Sequence, residues 1–365
     1  MADTKNFIAD KANVKLLGRR LFDNQVLWLT SSAAAVEFFV DATRLSFNLV
    51  GDSSARRGED GNPMPNCVRF SIYIDDRLFL TDCMDMAEKE VLVFDNSNSS
   101  NPDKKRKAKI TFIKLTEAHQ SYIGIKNIQT DSEGKIKATP PKKLRMEFIG
   151  DSVTCGYGID CKSADEDFST LTEDATKTYA FLTAKALDAD YSFCSYSTFG
   201  LYSGFTSDPK NINSTFTLPN FYEKITFSWN TKKYGDLLWD FSNYRPNLIV
   251  INLGTNDSSY CIDDERKEKF VSSSVDFLKY LRGLYPDAYF ILAYGLMKMG
   301  QSMISSVEKS CREYKLSSGD TRIYFCKLNT QSEEEGQGSG GHPNSVSHQR
   351  AAEELTNFIR ENLGK

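Results

Sequence analysis

The string Gly150-Asp151-Ser152-Val153-Thr154-Cys155-Gly156-Tyr157-Gly158 sets a serine between small and turn-forming residues. A hydroxyl on a tight strand-to-helix turn is exposed. The unpaired N–H groups of such a turn can cradle an oxyanion, so Ser152 reads as a nucleophile. Further along stands Gly254-Thr255-Asn256-Asp257. Asn256, at the end of a strand, can aim its carboxamide N–H at developing negative charge, although the same four letters also spell a turn. Near the C-terminus, Gly341-His342-Pro343-Asn344-Ser345 puts an imidazole just before a helix that Asn344 or Ser345 would cap. The chain has three histidines. His119 lies in a β-rich stretch, and His348 falls inside the last helix, where packing or exposure is expected. His342 is therefore the favoured base for Ser152. Asp151 and Asp257 are read as carboxylates that brace their own loops.

Two kinds of pattern must position these groups. From about residue 17 to 129, short segments rich in β-branched and aromatic residues read as strands: 26–30, 35–40, 44–50, 68–74, 78–81, 91–94, 110–115 and 122–128. Phe70, Ile72 and Ile74 alternate with Ser71 and Tyr73, and Asp75-Asp76 then reads as a hairpin turn. Many short strands with polar turns indicate a sandwich or jelly roll. Residues 131–143, with Pro140-Pro141, have linker composition. Beyond them strands alternate with helices. Segments 144–149, 191–196, 248–253, 288–294 and 323–325 read as strands; 179–187 reads as a helix. Phe270, Val271, Val275, Leu278 and Leu281 mark one helical face, Met303, Ile304, Val307 and Cys311 another, and Ala351, Leu355, Phe358 and Ile359 a third. That alternation predicts a parallel sheet between helices, with ligand chemistry at the carboxyl ends of its strands. The expected domains are a β-sandwich over 1–130, a linker over 131–143 and an α/β domain over 144–365.

Composition narrows the function classes. Of 365 residues, 40% are hydrophobic and 26% charged, and the net charge is −4. No basic excess points to nucleic acid or membrane as partner. Lys104–Lys107 is read as a solvated loop. No segment approaches the roughly 20 apolar residues of a membrane span, and residues 1–5 show no signal-peptide core. Eight scattered cysteines without CxxC pairs fit reduced thiols, so a cytoplasmic location is expected. No His/Cys cluster has metal-ligand spacing, so neither metal nor cofactor is expected.

The order Gly-Asp-Ser, Gly-Thr-Asn-Asp, His-Pro over residues 143–365 resembles the SGNH (GDSL) hydrolase superfamily. The fuller nucleophile string from Ile149 to Gly158, with Leu17-Gly18-Arg19 near the start, resembles carbohydrate esterase family 2. That resemblance implies a flavodoxin-like SGNH hydrolase domain of α/β class, preceded by a β-sandwich jelly roll. It implies a serine esterase removing O-acetyl groups from acetylated xylan, other hemicellulose or their oligosaccharides. Ser152 would be nucleophile, with oxyanion donors from the Ser152 N–H, the Thr198 or Gly200 N–H and the Asn256 side chain. Relatives carry an acid two or three residues before the histidine; here those positions are Gly340 and Ser339, and the nearest upstream carboxylate is Glu335. A Ser–His dyad is then implied, with the carbonyl of Gly340 or Gly341 orienting His342. Tyr157, Phe199 and Tyr260 are candidates to stack on sugar, and residues 203–230, with Phe205, Phe216, Phe221, Tyr222 and Trp229, would form a rim or a surface insertion. The alternatives are a lipase or thioesterase on the same dyad, and a carbohydrate-binding protein with a decayed site.

Overall fold

Period-two patterning does build two antiparallel sheets. A computed structural model of the chain describes residues 4–96, 99–228 and 234–365; Trp229 lies outside the described residues. Two units divide the chain: Met1–Pro141 with Ile225–Gly235, and Lys142–Lys224 with Asp236–Lys365.

In the first unit, one sheet runs in the order Arg20–Asp23, Val26–Leu29, Ile123–Asp131, Arg44–Gly51, Glu88–Asp95, with Thr4–Phe7 added on Ile123–Asp131. The other runs Lys135–Ala138, Ala35–Ala42, Arg106–Lys114, Arg69–Ile74, Arg77–Cys83, with Lys15–Leu17 on Ala35–Ala42. The inner faces form one apolar core of a β-sandwich jelly roll. Phe47 of one sheet meets Phe112 of the other at 5.1 Å between ring centroids, and Phe70 stacks on Phe112 at 5.0 Å. Asp75 and Asp76 do make the hairpin turn, with φ of 52° and 64°, the pairing of positive values that matches strand twist. Asn24-Gln25 makes a second such turn, with φ of 50° and 64°.

Three expectations need correcting here. Arg106 and Lys107 of the basic run pair with Ala42 and Asp41 in a strand, so only its first half is loop. Within 131–143, Lys135–Ala138 forms an edge strand on Ala35–Ala42; its alternation of two lysines with Ile136 and Ala138 is a strand pattern that charge disguised as linker. Ile225–Gly235, expected within the hydrolase part, clusters with the sandwich: Ile225 and Tyr234 pack with Leu21, Trp28 and Tyr122.

The second unit holds a five-stranded parallel sheet in the order Asp190–Ser195, Arg145–Gly150, Leu248–Asn252, Tyr289–Tyr294, Ile323–Lys327. Its central strands are buried: the helices Tyr179–Ala186, Asp264–Leu284 and Ile304–Ser318 supply crossovers, and Ser345–Leu363 follows the last strand. Phe270, Val271, Val275, Leu278 and Leu281 form the buried face of Asp264–Leu284, as their spacing predicted. The strand order reverses between Arg145–Gly150 and Leu248–Asn252, and a crevice opens at such a reversal. Among the described residues no helix is long and apolar enough to cross a membrane.

Candidate active site

Ser152 and Asn256 follow the two strands that flank this reversal. Asp151 caps the short helix Ser152–Cys155, accepting from the Val153 N–H at 3.0 Å. That leaves Ser152 at the first helical position, where its own N–H has no intrahelical acceptor. Gly156 ends the turn with φ 84°. Gly150 must lack a side chain, since a Cβ there would come within 2.1 Å of Thr154 Oγ1.

His342 Nε2 lies 2.8 Å from Ser152 Oγ, and His342 Nδ1 lies 2.8 Å from the Ser339 carbonyl oxygen. A carbonyl only accepts, so Nδ1 carries the hydrogen, and the Nε2 lone pair faces the serine hydroxyl. The orienting carbonyl is therefore that of Ser339, not of Gly340 or Gly341 as expected. Ser339–Gly341 forms a 3-10 turn, which brings the carbonyl of one residue over the third residue beyond it. Ser339 O thus accepts both the His342 backbone N–H, at 3.1 Å, and Nδ1–H. The Gly341 carbonyl is already engaged by Gln331 Nε2 at 2.9 Å.

The histidine loop is held from the nucleophile side. Ser339 N donates to Gly158 O at 3.3 Å, Gly340 N to Ala164 O at 2.9 Å, and Ser339 Oγ to Glu166 O at 2.7 Å. Gly158 permits this approach: a Cβ there would stand 2.5 Å from the Ser339 Cβ. Glu335 is committed elsewhere. It forms a two-pronged pair with Arg350 and accepts from Ser347 Oγ at 2.7 Å, and the Arg350 hydrogen bonds hold its carboxyl down at about 2.

Thr198 and Gly200 part company. The Gly200 N–H donates to Phe216 O at 3.1 Å and is spent. Thr198 is exposed, sits at φ 71°, and its N–H meets no acceptor among the described residues. Asn256 Nδ2 donates to Phe199 O at 2.9 Å, with Asp151 Oδ2 at the hydrogen-bond limit of 3.5 Å; one of its hydrogens remains only loosely engaged. Asp257 binds the N–H groups of Leu201, Tyr202 and Ser203 at 2.9, 2.7 and 2.8 Å, pinning the loop that carries Thr198. Burial pushes Asp257 up to about 6 against those donors. It pushes Asp151 up to about 7, with the Asp257 charge adding to the rise.

The aromatic candidates are corrected in part. Phe199 is fully buried among Tyr196, Phe216 and Phe221, so it offers no face to a sugar. The Tyr157 ring lies 3.8 Å from that of Phe168 and 4.5 Å from the His342 ring, bracing the imidazole. Tyr260 is half-buried, against the Arg266 guanidinium at 4.5 Å. Of the other histidines, His348 is buried, accepts from the Tyr179 N–H at 3.1 Å and is driven down to about 3 by burial; His119 is also buried. Sequence reasoning missed Ser339, Phe168 and Gln331. The only signal for Ser339 was its position three residues before the histidine, one helical turn of 3-10 type.

Residues 146–355 match the family described as GDSL-like Lipase/Acylhydrolase. The chain is 34% identical over 258 residues to the cellulase/esterase CelE of Acetivibrio thermocellus, covering 69% of this chain and 30% of that protein. It therefore spans less than a third of that relative's length. An acetylxylan esterase / glucomannan deacetylase of Cellvibrio japonicus is 24% identical over 99% of this chain and 92% of its own. Among solved structures, the acetyl xylan esterase Est2A of the rumen bacterium Butyrivibrio proteoclasticus superposes with a TM-score of 0.85 at 25% identity, covering 100% of this chain and 99% of that one. A family two carbohydrate esterase from Clostridium thermocellum, solved with cellohexaose, gives 0.80 at 26%, covering 96% and 99%.

Proposed function

We propose that the chain, which belongs to the GDSL-like lipase/acylhydrolase family, is a carbohydrate esterase that removes O-acetyl groups from acetylated xylan, other hemicellulose or their oligosaccharides. The observation that carries this reading is one imidazole bridging Ser152 Oγ and a backbone carbonyl, 2.8 Å from each. Relatives named as acetylxylan esterases along nearly the whole chain support the acetylated-carbohydrate class.

In this reading Ser152 Oγ attacks the acetyl carbonyl carbon while His342 Nε2 takes its proton. The tetrahedral oxyanion is held by the N–H groups of Ser152 and Thr198 and by the Asn256 carboxamide. His342 then returns the proton to the departing sugar oxygen, leaving Ser152 acetylated. Water attacks the acetyl-enzyme, gives a proton to His342 and releases acetate as Ser152 regains its hydrogen. The Ser339 carbonyl keeps the tautomer right throughout, although a neutral acceptor stabilises the imidazolium less than a carboxylate does. Acylation is accordingly expected to be modestly slower than with a full triad.

The test is acetate release from a panel of acetylated xylan, acetylated mannan and short acetylated oligosaccharides by the wild-type chain and by Ser152→Ala. Release by the wild type and a fall of about 10³-fold or more in the variant is expected. Equal release by the two would end the esterase reading.

A further inference from the structure

We infer that the outer face of the sandwich sheet carries a second carbohydrate site, a basic groove that binds uronate-bearing polysaccharide. The groove, of about 720 Å³, lies over Lys135–Ala138, Ala35–Ala42 and Arg106–Lys114. Strand register makes it an ordered array. Lys137, Phe39 and Lys109 form one cross-strand row, and Lys135, Asp41 and Lys107 form the next. Phe39, whose neighbours Phe38 and Val40 point into the core, stands outward and is 46% exposed in the middle of the first row. Lys109 is partly neutralised by Asp76 at 2.5 Å and Glu37 at 3.7 Å, and Lys107 reaches Asp41 at 3.9 Å. Lys135 and Lys137 are exposed and make no ion pair among the described residues. Two ammonium groups without an ion pair thus lie along one side of an outward aromatic ring, with the partly neutralised Lys109 on its other side, on a chain whose net charge is −4.

The array selects its ligand. An aromatic face with its negative quadrupole suits the C–H face of a pyranose ring, and the ammonium groups of Lys135 and Lys137 along its edge suit a carboxylate on that ring. Same-face lysines on one strand stand roughly 6.6 Å apart. That is far sparser than duplex DNA, with one charge per about 1.7 Å. Asp41 and Asp75 line the same groove and would repel so dense a phosphate backbone. A polymer with at most one carboxylate per sugar meets the lysines without crowding the acids. The choice of sugar over other sparse polyanions rests on the esterase reading.

The test uses unacetylated polygalacturonate, the same polymer with its carboxyls reduced to alcohols, and duplex DNA. Each is offered to the full chain in affinity electrophoresis and titration calorimetry. Because no acetyl group is involved, the result is independent of acetate release. Binding of polygalacturonate but not of the reduced polymer is expected. It should weaken roughly tenfold in Lys135→Glu/Lys137→Glu and severalfold in Phe39→Ser. Lys135→Gln/Lys137→Gln, which removes charge without reversing it, should weaken binding in the same direction while acetate release from the panel stays at the wild-type level. Equal retention of the charged and reduced polymers would overturn the inference, as would wild-type binding by both lysine variants. Tighter binding of DNA would overturn it in favour of a nucleic-acid surface. No binding at all would also overturn it, leaving the lysines as guards that keep an edge strand from pairing.

Discussion

A backbone carbonyl orients the imidazole, and the residue that supplies it, Ser339, is one of the two positions at which the sequence lacks the acid that the family resemblance implies. The tautomer requires that Nδ1 keep its hydrogen, and a neutral or an anionic acceptor does so. The stabilisation withheld from the imidazolium raises the weight on the oxyanion donors. Asn256 is the side-chain donor in the proposed hole. Asn256→Ala should lower kcat for acetate release by about 10²- to 10³-fold, roughly 2.7–4 kcal/mol, with little change in KM. Steady-state kinetics on an acetylated oligosaccharide measure it; a rise in KM with kcat intact would place Asn256 in substrate binding instead. The long contact between Asn256 Nδ2 and Asp151 Oδ2, at 3.5 Å, fits a carboxamide hydrogen left available for a reacting oxygen.

Loops and helix starts hold these groups in place at the next scale. The histidine turn is tied on one flank to Gly158, Ala164 and Glu166. On the other, Asn344 caps the helix Ser345–Leu363 through the N–H groups of Val346 and Ser347, at 3.0 and 3.2 Å. Glu335 fastens the approach to that cap: its carbonyl accepts from Asn344 Nδ2 at 2.5 Å and its carboxylate grips Arg350 and Ser347. Its carboxyl is lowered from 4.5 to about 2 by the Arg350 hydrogen bonds. A depressed carboxyl binds fewer protons in the folded chain than in the unfolded one, so its contribution to stability is complete above about pH 4.5 and fades as pH falls toward 2. Solvent reaches this pair, so the contribution at neutral pH is about 1 kcal/mol. Glu335→Gln should therefore unfold at lower urea concentration than wild type at pH 7. The gap should narrow at pH 3. A gap that widened on acidification would contradict the assignment.

Across the whole molecule, each unit rests on its own apolar interior. In the sandwich, Phe112 touches rings of both sheets, Phe47 at 5.1 Å and Phe70 at 5.0 Å, and is fully buried. Phe112→Ala should destabilise the sandwich by about 3–5 kcal/mol, through lost transfer energy and the cavity left behind. Denaturant unfolding followed by circular dichroism measures it; a loss below about 1 kcal/mol would mean the two sheets close over the gap. In the α/β unit, the reversal of strand order brings the turns bearing Ser152 and Asn256 to one crevice, and the last helix delivers His342 to the same edge.

Much of this was legible in the amino-acid order alone, because alternation and helical spacing are local and burial enforces them. The five parallel strands, their long helices and the Asp75-Asp76 turn follow from types and spacing, which also single out Ser152 and His342 as candidates that the family resemblance sharpens. Tertiary structure alone decided what depends on a donor finding its acceptor. Ser339 O rather than a glycine carbonyl faces Nδ1, because a 3-10 turn aims it there. The Gly200 N–H is spent on Phe216 while that of Thr198 is not. Phe199 packs inward, and the Lys135–Ala138 strand exists because Ala35–Ala42 offers it an edge. A side chain's type is written in the chain, but its partner is fixed by residues distant in sequence, and hydrogen-bond geometry is settled only when the fold brings them together.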